Sequence, residues 1–233
     1  MFNIFKGNTA LENVQLKTDK FSKWSKTDKC NQSPCPMLNT LANYKLLPKE
    51  NISSLNIKKA LIDSECNILI SSLLTVVFKL NFNKTKNLRK IGKHGVIEHD
   101  ISLTREDYHL GDSITFNKKR FNKMKKFSSD GKNFTHNNMV KYFTYIKNQS
   151  EINNKQLKFN IMEFQKCLLE QSILFCLLNE NNNSIPLKYL DYFLTKEKFP
   201  FKYGFKLTNR LNTFNLLKNY TKLLYRYFIN SIY

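Results

Sequence analysis

A cysteine stands between two prolines at Pro34-Cys35-Pro36, directly before a run with helical apolar spacing. Proline suits the first helical position, because the N–H that it lacks would have no helical partner there. Cys35 is therefore predicted to lie at a helix N-terminus, where free N–H groups and the helix dipole lower the pKa of a thiol. A thiolate held in this way could ligate haem iron. The alternative is a helix-capping cysteine that binds no metal.

A second chemical feature is Glu170, which lies in the most apolar segment of the chain, residues 159–178. Burying a lone carboxylate is costly, so such a group either takes up a proton or finds a partner. Groups kept in that situation are often functional ones. The alternatives are a satisfied structural carboxylate and a helix turned so that Glu170 meets water.

The third feature is the acidic cluster Glu98-His99-Asp100, followed by Ser102. Glu98 and Ser102 offer side-chain oxygens, and a loop bent around His99 can add a main-chain carbonyl. Oxygen ligands of this kind suit Mg²⁺ or a similar cation. The alternative is a polar loop that caps a helix. The other histidines show no partner pattern and are predicted to lie at the surface or in loops: His94, His109 and His136.

The apolar spacing predicts an all-α fold that positions these side chains, with no convincing strand alternation and no internal repeat. A loosely packed arm is predicted over residues 1–32, before one domain over residues 33–233. A helix over residues 184–198 is expected to begin with a capping Ser184 and an early Pro186. Six further helices are predicted, over residues 36–47, 54–80, 116–127, 135–148, 159–178 and 213–233.

Composition limits the function classes. Of the 233 residues 41% are hydrophobic, which favours a globular fold over disorder. The formal net charge of +20 suits an anionic partner, but the basic residues are spread along the whole chain. A basic helical protein that binds RNA or another polyanion is therefore an alternative, although no specific nucleic acid is expected.

The ends and the cysteines add three expectations. The longest apolar stretch, residues 68–78, is too short to cross a bilayer. The first residues lack the apolar core of a signal peptide, so an intracellular protein is expected unless a leader has been removed. The five cysteines do not form a disulfide scaffold, and pairing of Cys30 or Cys66 stays open, as does the oligomeric state.

Four blocks of the sequence, taken together and in order, resemble a known family. They are residues 33–43 around Cys35, residues 98–105 with the acidic cluster, residues 107–117, and residues 193–205. In these blocks the chain resembles the shorter members of the haem-thiolate peroxidases, the family of chloroperoxidase and the unspecific peroxygenases. It departs from the family at Tyr44 and Lys45, where histidine and glycine are usual, and at Phe205, where tryptophan is common.

The resemblance implies a haem b between a helix that begins at Cys35 and a distal helix that bears an acid. Cys35 would be the axial ligand of the iron. Glu98, Ser102 and the main-chain oxygen of His99 would hold Mg²⁺ or a similar cation against a haem propionate. Glu170 would be the distal acid–base catalyst, with His99 as its partner. Apolar neighbours of this acid are candidates for the wall of the distal pocket: Ile97, Cys167, Ile173 and Leu174.

The implied activity is oxidation or oxygenation of small apolar organic molecules by hydrogen peroxide, with halide as a further possible substrate. A haem protein without catalysis is the remaining alternative. Relatives are typically secreted, which conflicts with the intracellular expectation.

Overall fold

The fold is mainly helical. The computed structural model describes residues 20–180, 184–208 and 210–232. Within these ranges it contains eight α-helices, as the sequence predicted in kind. In chain order they are α1 (Pro36–Asn43), α2 (Ser54–Asp63), α3 (Ile68–Phe82), α4 (Lys118–Lys125), α5 (His136–Asn153), α6 (Ile161–Leu178), α7 (Leu187–Lys196) and α8 (Thr213–Ile232).

Two small antiparallel sheets accompany the helices, so the expectation of no strands is wrong. One sheet pairs β1 (Glu50–Ser53) with β2 (Lys84–Asn87), and the other pairs β3 (Asn133–Thr135) with β4 (Ser184–Pro186). Strands of three or four residues are too short to show an alternating apolar pattern in the sequence. Each sheet ties together segments that lie far apart in the chain.

The predicted helix bounds differ from those in the structure, and two of the differences have a visible cause. The helix predicted over residues 54–80 is two helices, because Glu65 takes a left-handed φ of 62° and Asn67 caps α3 by accepting from the N–H of Leu69. Ser184 does not cap a helix but pairs in β4, and α7 begins only after Pro186. Both errors lie where a local turn or a long-range pairing interrupts a continuous apolar pattern.

The core is built around α6, which packs along α8. Helix α5 also packs against α8. From Cys167 to its end α6 is largely buried, as predicted, whereas Ile161 and Met162 in its first turn are exposed. The cap of α6 is Asn160, whose side chain accepts from the N–H groups of Met162 and Glu163. This helix carries Glu170 into the middle of the domain.

An aromatic cluster joins the N-terminal segment to the region after α7. Phe199 stacks on Tyr44 at 5.6 Å and meets Phe21 edge-on at 5.6 Å. Trp24 donates its indole N–H to the main-chain oxygen of Glu197 at 3.2 Å. Phe21 and Trp24 are therefore packed on the domain, although most of residues 20–32 are exposed. The loose arm stays a prediction. Residues 1–19 of the predicted arm lie outside the described residues.

No helix in the described ranges is long and apolar enough to cross a membrane. All five cysteines are free thiols, including the exposed Cys30 and the buried Cys66. The structure therefore contains no disulfide that could fix the fold, and burial of side chains must do so.

Replacing Phe199 by alanine should lower the free energy of unfolding by about 3–5 kcal/mol, since its fully buried ring would leave a cavity. Urea titration measures the change. Phe214→Ala is the matched control, because that ring is 75% exposed and its loss should cost less than about 0.5 kcal/mol. Equal losses in the two variants would contradict this account of the core.

Candidate functional site

Cys35 is the N-cap residue of α1, with Pro36 at the first helical position, as the sequence predicted. The turn before it is fixed by Asn39. The side-chain oxygen of Asn39 accepts from the N–H of Ser33 at 2.8 Å, and its amide donates to the Ser33 carbonyl at 2.9 Å. This pair of bonds sets the direction in which the Cys35 side chain leaves the helix.

The electrostatics of Cys35 differ in part from the expectation. The N–H groups of Leu38 and Met37 lower the pKa of its thiol, as does the charge of Arg105. Burial acts more strongly in the other direction, and with the charge of Glu170 it raises the pKa above the ordinary value. The prediction that the pKa of Cys35 is lowered overall is therefore wrong for the protein without a bound metal. The N–H groups at the start of the helix do lower this pKa, as predicted.

Glu170 is not a lone carboxylate. Ser102 Oγ donates to its Oε1 at 2.9 Å, and the N–H of Leu103 donates to its Oε2 at 3.1 Å. Its side chain is 26% exposed, so the group is neither fully buried nor turned to bulk water. The acidic segment of the sequence thus binds the carboxylate of α6 directly.

His99 lies beside this carboxylate, as the resemblance implied. Its Nε2 is 3.9 Å from Glu170 Oε2, and its Nδ1 is 2.9 Å from the main-chain oxygen of Asp100. A carbonyl oxygen only accepts, so the ring donates to it from Nδ1, and Nε2 is the ring atom that faces Glu170.

The loop that carries these groups is held under strain. Ile101 takes a φ of 59°, in a region that a β-branched residue rarely adopts. Its N–H donates to Asp107 Oδ1 at 3.0 Å, and Asp107 is fully buried. On the other side the hydroxyl of Tyr142 donates to the Leu103 carbonyl at 2.7 Å. These bonds fix Ser102 and Leu103 against Glu170.

Glu98 is buried in the same loop. Its Oε2 is 2.6 Å from Nδ1 of His94, which lies at the surface as predicted but has a partner that the sequence did not indicate. Its Oε1 is buried without a hydrogen-bond partner, and burial raises the pKa of this carboxyl. Ligand atoms of His94, Glu98 and Asp100 lie within 4.8 Å of one another. Ser102, the other predicted cation ligand, directs its proton to Glu170 instead.

A buried ion pair, to which the sequence alone assigned no role, completes the site. Arg105 donates from Nη1 to the carbonyl and hydroxyl of Thr104, and its Nη2 is 4.0 Å from Glu197 Oε1. The Nε and Nη2 atoms of Arg105 have no hydrogen-bond partner. Glu197 accepts from Gln32 at 2.8 Å and from Asn39 at 2.7 Å. Both residues fall within the blocks of the resemblance, which was the signal that could have drawn attention to them.

The four predicted pocket residues all contribute to the core. Cys167 and Leu174 are buried, whereas Ile97 and Ile173 are partly buried and pack against it. Cys167 Sγ lies 3.7 Å from His99 Nδ1. Their role as a pocket wall stays a prediction. The side chain of His136, expected in a loop or at the surface, is buried on Phe175 at a centroid distance of 3.9 Å.

A cysteine at a helix N-cap, together with a carboxylate that lies beside a histidine, is the set of side chains that the resemblance implies for the haem-thiolate peroxidases. Residues 22–214 match the family described as peroxidase, family 2, and the chain belongs to that family. It is also similar to an aromatic peroxygenase of Coprinellus radians, with 27% identity over 122 residues. That match covers 42% of this chain and 46% of the relative, so less than half of the relative's length is represented.

Glu197→Gln should reduce the pH dependence of stability. Burial raises the pKa of the Glu197 carboxyl in the folded protein, against the hydrogen bond of Asn39 and the charge of Arg105. A raised carboxyl pKa stabilises the fold below the unfolded value of about 4.3, and this contribution is lost as pH rises through the folded pKa. We expect the parent to lose more free energy of unfolding than the variant across that range.

Urea titrations at a series of pH values measure this difference. Glu151→Gln is the matched control, because Glu151 forms an exposed pair with Lys147 and its removal should leave the slope unchanged. Identical pH profiles for the parent and Glu197→Gln would show that Glu197 does not titrate with folding.

Proposed function

We propose that this chain is a haem-thiolate peroxygenase or peroxidase that uses hydrogen peroxide to oxidise small apolar organic molecules. Membership of the family supports an oxidoreductase that acts with peroxide. The observation that carries the proposal is that the Glu170 carboxylate is held by hydrogen bonds from Ser102 and the Leu103 N–H, with His99 Nε2 3.9 Å away, while Cys35 is the N-cap residue of a separate helix. In this chemistry the axial thiolate and the acid–base group lie on opposite faces of the haem.

The residues present fit a haem. The Cys35 side chain makes no capping hydrogen bond to α1 and forms no disulfide, so its thiol is free to serve as a ligand. The unpartnered Nε and Nη2 of the buried Arg105 guanidinium suit a carboxylate of the cofactor. A metal ion deprotonates a coordinating thiol, which would overcome the raised pKa of Cys35. Haem b would supply the redox chemistry, and the thiolate would favour O–O cleavage.

The chain's own residues would handle the proton. Glu170 takes a proton from hydrogen peroxide and returns it to the departing oxygen as the O–O bond breaks. Ser102 and the Leu103 N–H keep the carboxylate oriented, since each holds one of its oxygens. His99 stabilises the charge of Glu170 from 3.9 Å. A haem protein without catalysis would have no need of a carboxylate held in this way.

The substrate side of the proposal rests on apolar residues near the acid. Ile97, Ile173 and Leu174 would line the distal pocket together with Cys167 and keep water from the reacting atoms. Such a wall favours small apolar organic substrates over ions. Halide oxidation is allowed by the family resemblance, and nothing in the wall favours it.

A divalent cation beside Glu98 is the second part of the proposal. The buried Oε1 of Glu98 has no hydrogen-bond partner, and a buried carboxylate oxygen left unpaired is costly. Mg²⁺ would bind this oxygen, the main-chain oxygen of His99 and the Ser102 hydroxyl. Because the Ser102 hydroxyl acts as the hydrogen-bond donor to Glu170, its oxygen lone pairs remain available to a cation. Ser102 would then link the cation to the catalytic acid.

Cys35→Ala should abolish peroxide-dependent oxidation, because no thiolate remains to favour O–O cleavage. The purified protein is loaded with haem, reduced and exposed to carbon monoxide. The parent should show the red-shifted Soret band of thiolate ligation, and the variant should lose it. Cys30→Ala, at an exposed cysteine, is the control and should behave as the parent. A thiolate spectrum and activity retained in Cys35→Ala would refute the ligand assignment.

Glu170→Gln should keep the haem and the thiolate spectrum while slowing the reaction with peroxide about 10²–10⁴-fold, the usual contribution of an acid–base group. The amide has nearly the same shape but cannot shuttle a proton. Stopped-flow absorbance after mixing with peroxide measures the rate. Glu163→Gln is the matched control on the same helix, because Glu163 pairs with Lys166 instead. If Glu163→Gln slows the reaction with peroxide and Glu170→Gln does not, the acid–base role belongs to Glu163 instead.

Glu98→Ala should lower both the bound magnesium and the retention of haem, since the carboxylate is the main negative charge on the proposed cation. Elemental analysis gives the metal content, and transfer of haem to a scavenging globin gives its retention. Asp130→Ala removes an acid from an exposed loop and should change neither. Unchanged metal content in Glu98→Ala would exclude this site.

A further inference from the structure

One face of α8 exposes a stripe of large apolar side chains that the function proposed above does not use. The opposite face is buried against α5 and α6 and includes Leu223, whose side chain is fully buried. The exposed residues follow one another at intervals of three, seven, one and three positions, which places them on one side of the helix, and their exposed fractions lie between 42% and 75%. They are Phe214, Leu217, Leu224, Tyr225 and Phe228.

A second stripe lies on α3. This helix is buried through Ile70, Ser71 and Phe78, whereas its other side carries aliphatic residues with exposed fractions between 38% and 80%. They are Leu69, Leu73, Val76, Val77 and Leu80. Single exposed apolar residues are normal on a soluble protein, but contiguous ones mark a surface that has a partner.

The two stripes begin at the same place. Asn67, the cap of α3, donates its N–H to the Leu211 carbonyl at 2.8 Å, just before α8 begins. Thr213, the first residue of α8, donates its hydroxyl to the Asn67 side chain at 3.4 Å. The first turns of the two helices are therefore neighbours.

The charge around the stripes indicates what that partner is. No Asp or Glu occurs over residues 67–97 or 198–233, whereas both segments are rich in lysine and arginine. Lys222 on α8 feels the charges of Lys218 and Arg226 on the same helix. A second copy of this chain would bring +20 against +20, which opposes association. An anionic partner with an apolar interior satisfies both features.

We propose that the apolar stripes of α3 and α8 form a docking surface for an anionic lipid bilayer. The side chains of the stripes insert at the level of the acyl chains, while the flanking lysines and arginines meet the lipid headgroups. This is binding on the membrane surface, which needs no spanning helix. It does not depend on the haem or on the proposed activity.

The test is co-sedimentation of the full chain, loaded with haem, with lipid vesicles. It should bind vesicles of equal parts phosphatidylcholine and phosphatidylserine, bind phosphatidylcholine alone far more weakly, and release as salt is raised. Leu224→Ser with Phe228→Ser should weaken binding at least about tenfold, because two large apolar side chains no longer leave water. Leu73→Ser with Leu80→Ser should do the same for α3.

The matched control is Ile152→Ser with Met162→Ser, which removes two equally exposed apolar side chains from α5 and α6 and should bind as the parent does. Circular dichroism verifies that every variant is folded. Four outcomes would overturn the proposal. They are no binding to the mixed vesicles, unchanged binding of both stripe variants, equal binding to neutral vesicles, and self-association that the stripe variants abolish. Binding that appears only after removal of residues 1–19 would indicate that this segment, and not a bilayer, is the partner of the stripes.

Discussion

The buried carboxylate of Glu197 is the interaction on which the rest of the site depends. It receives hydrogen bonds from Gln32 and Asn39, which frame the turn before Cys35, and it lies 4.0 Å from the guanidinium of Arg105. Arg105 ends the acidic loop that binds Glu170. A single charge therefore connects the segment with the thiol to the segment with the acid, and it does so in the interior, where an unpaired partner would be costly.

The acid side is organised by backbone geometry as much as by side chains. Because Ile101 is held in a left-handed conformation by Asp107, the next two residues turn their hydroxyl and N–H toward Glu170. Glu98 belongs to the same loop and pairs with His94. The loop thus carries one carboxylate, binds the carboxylate of Glu170 and gives the two different partners.

The positions of Cys35 and His99 were easier to predict from the sequence than the framework that supports them. Cys35 at a helix start follows from proline preferences, and the contact of Glu170 with His99 follows from the family resemblance. The Arg105–Glu197 pair could not be predicted, because the two residues are far apart in the chain and only the fold brings them together. The break between α2 and α3 depends on one left-handed residue, Glu65, inside a continuous apolar pattern. The sign of the pKa shift at Cys35 depends on burial, which no local pattern reports.

The span of one hydrogen bond has a consequence for how the protein matures. The bond from Asn39 to Glu197 joins residues 158 positions apart, so Glu197 reaches the turn before Cys35 only after the chain has been synthesised that far and folded. Contacts of such long range form late, since the entropy of closing the intervening loop must be offset first. The local bonds between Asn39 and Ser33 can form earlier. The turn that carries the cysteine would therefore form before its buried support does, and it would become rigid only late in folding.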